Sequence, residues 1–353
     1  MDTNLKELLC RLDTYGINVE CIEQNLSAQY DAAKHYIKHQ AKVPGSQNSG
    51  DEGVCIYPNN NTNFPVLMGL FGSRDLNRKF ITDFCSNIKD EESYIEPVVI
   101  DNPLCQANKL STGLLSLPAL KITPNDAGSY LTSGIVCAKN STSNTFSSSI
   151  HRLKILDDNR LTLALRPSGR LYKCYQDALS KNEKLPISIN IGVPPAYYLL
   201  TSITNSTIPN NRCKLSLMGG KLGYPVRLAK GITNDSYCFS DSEFVIEGEL
   251  GKELTDESSS TLYSTPEFLG YMGESKKQIP VINVTGIYHQ DKPIFQTFLG
   301  PGKEQSELLA IPTEITILNL LEREFKNDFK VTDVHLPTSG GGQLSVIVSI
   351  KKQ

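Results

Sequence analysis

Residues 147–166 read SSSIHRLKILDDNRLTLALR, two β-type apolar runs, HRLKILD (151–157) and LTLALR (161–166), divided by a polar break. Runs of this length bounded by turn residues read as strands. They belong to a series within residues 114–300: GIVCAK (134–139), ISINIGV (187–193), EFVIEGEL (243–250), VINVTGIYH (281–289) and PIFQTFL (293–299). Segments rich in Gly, Pro, Asn and Ser separate them, so this stretch predicts a β-barrel or sandwich. The same run poses a chemical question. Arg152 lies among Ile150, Leu153, Ile155 and Leu156, in a stretch expected to be largely buried. A buried guanidinium is costly unless it grips an anion or a carboxylate. Its partner is either a ligand or an internal acid, Glu247 or Glu249.

Working outward, residues 1–113 and 301–353 carry mixed α/β patterns, which makes the fold class α+β with a central β domain. NLKELLCRLDTYG (4–16) spaces Leu5, Leu8, Leu9 and Leu12 as a helix does and ends on Gly16. A second helix is predicted over AQYDAAKHYIKHQ (28–40), with His35 and His39 four residues apart. That spacing suits a shared metal, but neighbouring lysines favour a solvated face. VCIYP (54–58) reads as a strand, AKVPGSQNSGDEG (41–53) as a loop. Within the β region, helices are predicted at GRLYKCYQDALSKNE (169–183) and after Pro194 and Pro195, which suit a first helical turn. EITILNLLEREFKN (314–327) reads as a helix, VTDVHLP (331–337) and LSVIVSIKK (344–352) as strands.

The chain of 353 residues has a net charge of −3, which gives no electrostatic reason to expect nucleic acid or an anionic membrane as partner. No apolar run approaches the ~20 residues that span a bilayer. The N-terminus lacks the apolar core of a signal peptide. Nine dispersed cysteines contain no CxxC pair, and reduced thiols in a cytoplasmic protein are expected.

Five segments in order resemble the UbiD family of decarboxylases that use prenylated flavin mononucleotide. They are FPVLMGLFGSRD (64–75), LPALKITPNDAGSYLTSGIV (117–136), INIGVPPAYYLL (189–200), SEFVIEGEL (242–250) and PTSGGGQLSVIVSIKK (337–352). The resemblance implies a split β-barrel flavin domain, of the flavin reductase type, flanked by α/β elements. It implies three regions: an N-terminal α/β region (1–113), the barrel (114–300) and a C-terminal α/β segment (301–353). It also implies prenylated FMN or FMN as cofactor, a flavin prenyltransferase as its source, and a small unsaturated or aromatic carboxylic acid as substrate. Family members continue beyond VIVSIKK, so the expectation is either a minimal version or a partner that supplies the missing wall. That partner is a second copy or a paralogous UbiD-type subunit.

Residue by residue, Arg152 falls on the family's substrate-carboxylate arginine, a role that suits a guanidinium's two parallel donors. Glu267, in TLYSTPEFLGYMG (261–273), falls on the second of the family's two glutamates and Leu262 on the first. Beside Phe268 and Leu269, Glu267 is a candidate general acid if desolvated, or an ordinary loop carboxylate if not. The family's metal ligands fall on Ser147, Arg170 and Arg227. Guanidiniums have no lone pair to give a cation, so no divalent metal is expected. Arg170 and Arg227, with Ser147, Ser148 and Ser149, are instead candidates to bind the flavin phosphate directly. Ile150, Pro194 and Pro195 complete the expected cofactor set. Three functions remain open: a UbiD-like lyase working without the family's metal, running in either direction; a silent binding or partner subunit holding flavin or another phosphorylated ligand; and a repurposed barrel with different chemistry.

Overall fold

Six antiparallel strands close on themselves at the centre of the computed structural model, which describes residues 4–41, 51–59, 62–85, 94–140, 142, 146–203, 212–267, 272–300, 302–325 and 327–352. They are β1 (Tyr130–Lys139), β2 (Phe146–Asp157), β3 (Arg160–Thr162), β4 (Leu185–Ile191), β5 (Phe244–Thr255) and β6 (Ile279–His289). The order is β5-β4-β1-β2-β3-β6, and β6 pairs back to β5. The fold is therefore α+β around a closed barrel, which leaves the six strands no free edge.

Alternation along each strand builds two cores. Leu131, Val136, Leu153, Ile155, Ile187, Ile189, Phe244 and Ile282 fill the barrel. Each such side chain contributes roughly 1.5–3 kcal/mol when removed from water. At Gly134 a bulge interrupts the β1–β2 register, and a Cβ there would meet Ile189 and Leu153 at 2.8 Å. Helix α4 (Arg170–Ser180) buries Leu171, Cys174, Tyr175 and Ala178 in the same core. On the other face of β1, Ile135 and Cys137 join a second core with residues of five helices, α1 (Leu5–Leu9), α3 (Arg74–Cys85), α5 (Pro195–Thr201), α6 (Lys214–Leu222) and α7 (Lys303–Phe325), while α2 (Asp31–Tyr36) packs in a separate cluster.

Several runs behave differently from their sequence reading. The LTLALR run supplies only the short β3, and Phe295–Gln296 of the PIFQTFL run leaves the barrel. It pairs in parallel with Val66–Met68 in a separate four-stranded sheet that also holds Val19–Cys21 and Val54–Tyr57. A last helix, α7 (Lys303–Phe325), starts well before EITILNLLEREFKN and passes through Pro312, a residue that normally ends helices. Gly16, at φ 76°, closes the first helical segment as expected. Cysteines 10, 21, 55, 105, 137, 174, 213 and 238 are free thiols. No helix among the described residues is long and apolar enough to cross a membrane.

Candidate active site

Cross-strand partners in a sheet share a face. Because Ile150 pairs with Ile135, and Ser148 with Cys137, the even positions of β2 lie on the outer wall of the barrel. Ser148, Ile150, Arg152 and Lys154 form that row. The odd positions Ser147 and Ser149 pair with Ala138 and Val136 of the barrel interior. The four residues 147–150 are thus divided between two faces.

Arg152 meets a hairpin formed by Tyr263–Pro266 and Met272–Glu274. Its Nη1 donates to Thr265 Oγ1 at 3.0 Å and to Glu267 Oε1 at 2.9 Å, while Nη2 donates to Ser264 Oγ at 3.0 Å. Nε lies 3.8 Å from Glu257 Oε1. The internal partners named from sequence are wrong. Glu247 accepts from the backbone N–H groups of Ile232 and Thr233, and Glu249 pairs with Lys184. Nor is Arg152 fully buried: its side chain is 27% exposed and that of Glu267 33%. Glu267 is therefore ion-paired at a partly open surface rather than desolvated. Phe268, Leu269 and the Gly270–Tyr271 pair lie outside the described residues.

Glu257 escaped the sequence reading. Its side chain is 2% exposed, with Oε1 accepting from Tyr130 OH at 3.1 Å and Oε2 from the Lys276 N–H at 3.0 Å. Glu257 is thus a buried carboxyl group with both oxygens satisfied, held next to Arg152. Leu262, on the family's first glutamate position, is exposed.

On the inner face, Ser149 Oγ lies 2.8 Å from His151 Nε2. Burial, with the charges of Arg166 and Lys214, pushes the His151 imidazole down to about 4, although a backbone bond at Ala164 opposes this. Ser148 Oγ is buried without a partner among the described residues. Pro195 opens α5, behind Gly192, whose φ of 72° turns the chain out of β4.

Arg170 and Arg227 already have protein partners. Arg170 Nη1 donates to the Arg212 carbonyl at 2.9 Å, and Arg227 Nη2 to Asp241 Oδ1 at 3.0 Å. Burial raises the Asp241 carboxyl above its ordinary range, and Arg227 works against that rise. Two guanidiniums and a serine hydroxyl do not fit a divalent cation, for want of lone pairs. Among the described residues, no three His, Cys, Asp or Glu side chains gather as ligands. His35 and His39 stack at 4.2 Å, and His35 Nδ1 lies 3.1 Å from Tyr57 OH.

A closed barrel with an arginine–carboxylate pair on its outer wall defines a class, and the comparisons place the chain within it. Residues 98–303 match the model of the UbiD 3-octaprenyl-4-hydroxybenzoate carboxy-lyase Rift-related domain. Gallate decarboxylase of Lactiplantibacillus plantarum is 30% identical over 351 residues, covering 94% of this chain and 71% of that protein. The 3,4-dihydroxybenzoic acid decarboxylase structure from Enterobacter cloacae superposes with a TM-score of 0.87 at 25% identity, over 99% of this chain and 75% of that one. The UbiD-class enzyme HmfF from Pelotomaculum thermopropionicum, in an evolved dimeric form in complex with prFMN, matches with a TM-score of 0.82 at 22% identity, over 100% of this chain and 80% of that one. That last likeness bears on fold alone. The chain belongs to the UbiD family.

Proposed function

We propose that this chain is a UbiD-type decarboxylase of small unsaturated or aromatic carboxylic acids, working on a flavin-derived cofactor without the family's divalent metal. The observation that supports it most is the mounting of Arg152. Two hydroxyls and Glu267 fix the guanidinium plane, and it still reaches solvent. A substrate carboxylate takes that fork through two parallel charged hydrogen bonds, displacing Glu267 Oε1 from Nη1.

The released Glu267 carboxyl then stands beside the substrate. Loss of CO2 leaves an electron pair on carbon, which takes one proton, so that RCO2− and H+ give RH and CO2. In this reading Glu267, once free of Arg152, takes up that proton from solvent and delivers it from Oε1. Prenylated FMN, when bound, supplies the electron sink. In this reading Ile150, Pro194 and Pro195 border it. The orphaned Ser148 hydroxyl, in the same row as Ile150 and Arg152, fits a polar edge of such a ring.

The test is to co-express the chain with a flavin prenyltransferase, identify the retained ligand by absorbance and mass, and assay CO2 release from gallate, 3,4-dihydroxybenzoate and acrylic acids. Release with any of them supports the lyase. A loaded but inert protein gives the assignment to the partner-subunit reading, with a second copy or a paralogue completing the site.

A further inference from the structure

A short strap of chain joins the barrel to a three-stranded sheet formed by Tyr237–Phe239, Arg227–Lys230 and Val98–Val99. At one end of the strap Val98 and Val99 pair in parallel with Arg227 and Leu228; at the other, Lys109 and Asn108 pair with Tyr288 and His289 of β6. Between them the chain makes a single 3-10 turn, Leu104–Gln106. From residue 94 to residue 113, Cys105 is the one buried residue, and Leu104 beside it is half exposed. A thiol therefore does the pinning that a large apolar side chain does elsewhere.

That thiol faces another. Cys105 and Cys238 are both fully buried, with 3.7 Å between their sulfurs. Ala229 and Val245 complete a small cluster around them. The Cys105 N–H donates to the Ser240 carbonyl at 3.1 Å, and Gln106 Nε2 to the Lys230 carbonyl at 2.8 Å, so the turn is held over the strand that carries Cys238. Among the described residues no other two thiols share a contact of this kind. Sulfurs at this separation must close by about 1.7 Å to bond. The turn buries nothing but Cys105, so it can follow that movement without unpacking a core. The hydrogen bond to Cys238, and then burial, hold the Cys105 thiol well above its ordinary range. Thiolates are the attacking species, so the closed pair is inert and reacts when the turn opens to solvent.

We propose that Cys105 and Cys238 form a redox-modification site, at which a small disulfide RSSR oxidises the two thiols to a disulfide that staples the strap to the three-stranded sheet. With the turn open, Cys105 gives up its proton and its thiolate attacks one sulfur of RSSR, releasing RS−. The Cys238 thiolate then attacks the Cys105 sulfur of the mixed disulfide, forms the Cys105–Cys238 bond and releases the second RS−. The two thiol protons leave on two RSH. The protein thus loses two electrons and two protons, and RSSR gains them. The bond joins residues 133 positions apart, a loop long enough to restrict the unfolded chain strongly. The inference stands apart from the decarboxylase reading.

The experiment incubates the full chain with oxidised glutathione, blocks remaining thiols by alkylation in denaturant, and maps peptides by mass without reduction. The exposed Cys10 and Cys21 report that the oxidant is active. A linked peptide pair carrying Cys105 and Cys238, two hydrogens lighter than the two thiols, is expected. The melting temperature should rise by about 5 °C and return with dithiothreitol. Exchange of the Ile100 and Cys105 amides, which donate to the Leu228 and Ser240 carbonyls, should slow by about tenfold or more in the linked form. Cys238→Ser should abolish the cross-link, the temperature shift and the slowing together, and Cys105→Ala does the same if that variant does not fold. Both thiols still free for alkylation while Cys10 and Cys21 are modified overturns the site. So does a lasting mixed disulfide with glutathione at Cys105, or a cross-link from Cys238 to Cys137. A Cys105–Cys238 bond that leaves melting temperature and amide exchange unchanged overturns the staple.

Discussion

Replacing Arg152 with lysine keeps the charge and removes the planar fork. Arg152 donates three hydrogen bonds of 2.9–3.0 Å, from two nitrogens, to Ser264, Thr265 and Glu267. A lysine nitrogen on a shorter stem retains one of these contacts at best. Two lost charge-assisted bonds are worth about 3–6 kcal/mol if nothing replaces them. The site is partly open to water, which recovers most of that, so the net stability loss should be about 1–2 kcal/mol. Turnover has no such compensation, since water cannot orient the substrate carboxylate. Loss of one parallel bond there, at about 2–3 kcal/mol, lowers kcat/KM roughly 100-fold. Urea unfolding and CO2 release on the same preparations separate the two effects. A double-mutant cycle with Glu267→Gln should show about 1 kcal/mol of coupling in stability. Arg152→Lys with kcat/KM within about threefold of wild type, or activity lost only in proportion to unfolded protein, refutes the assignment.

Gly134→Ala should destabilise the barrel by about 1–3 kcal/mol in urea unfolding, because the new methyl meets Ile189 and Leu153 at 2.8 Å. Glu304 is buried; burial, together with Glu52, pushes its carboxyl up to about 8, against the Phe71 N–H that it accepts. The native state then holds this proton more tightly than the unfolded chain. Its contribution is complete below the ordinary carboxylate range and is lost as pH rises toward 8, on the order of a few kcal/mol. The melting temperature should fall from pH 6 to 9 in wild type, and Glu304→Gln should flatten that slope. Dialysis against a chelator, followed by elemental analysis and FMN titration, should find less than stoichiometric divalent metal and unchanged affinity. Metal held at Ser147, Arg170 and Arg227 would contradict the donor argument.

The barrel was legible because its strands are short, apolar and separated by turn residues, and α4 because its apolar positions recur at helical spacing. Strand partners were not, since a run such as PIFQTFL carries no mark of the sheet it joins. Arg152 and Glu267 were both named, but their direct ion pair spans 115 positions of chain and depends on a hairpin that spacing does not reveal. Glu257 looks like any acid in a polar run until Tyr130 comes to lie beside it. Lys214 reads as a surface lysine, because burial of its amine depends on α5 and α6 meeting. Glu247 and Glu249 were reasonable partners for Arg152 by type, yet their own strand, β5, delivers them to backbone N–H groups and to a lysine instead.

Deuterium incorporation decides whether this chain decarboxylates. Cofactor-loaded protein is incubated with 3,4-dihydroxybenzoate in D2O, and product and gas are analysed by mass spectrometry. One CO2 should be released per product molecule, with one deuterium on the carbon that carried the carboxylate. Loaded, folded protein that yields neither CO2 nor deuterated product, with this acid, gallate and acrylic acids alike, would contradict it.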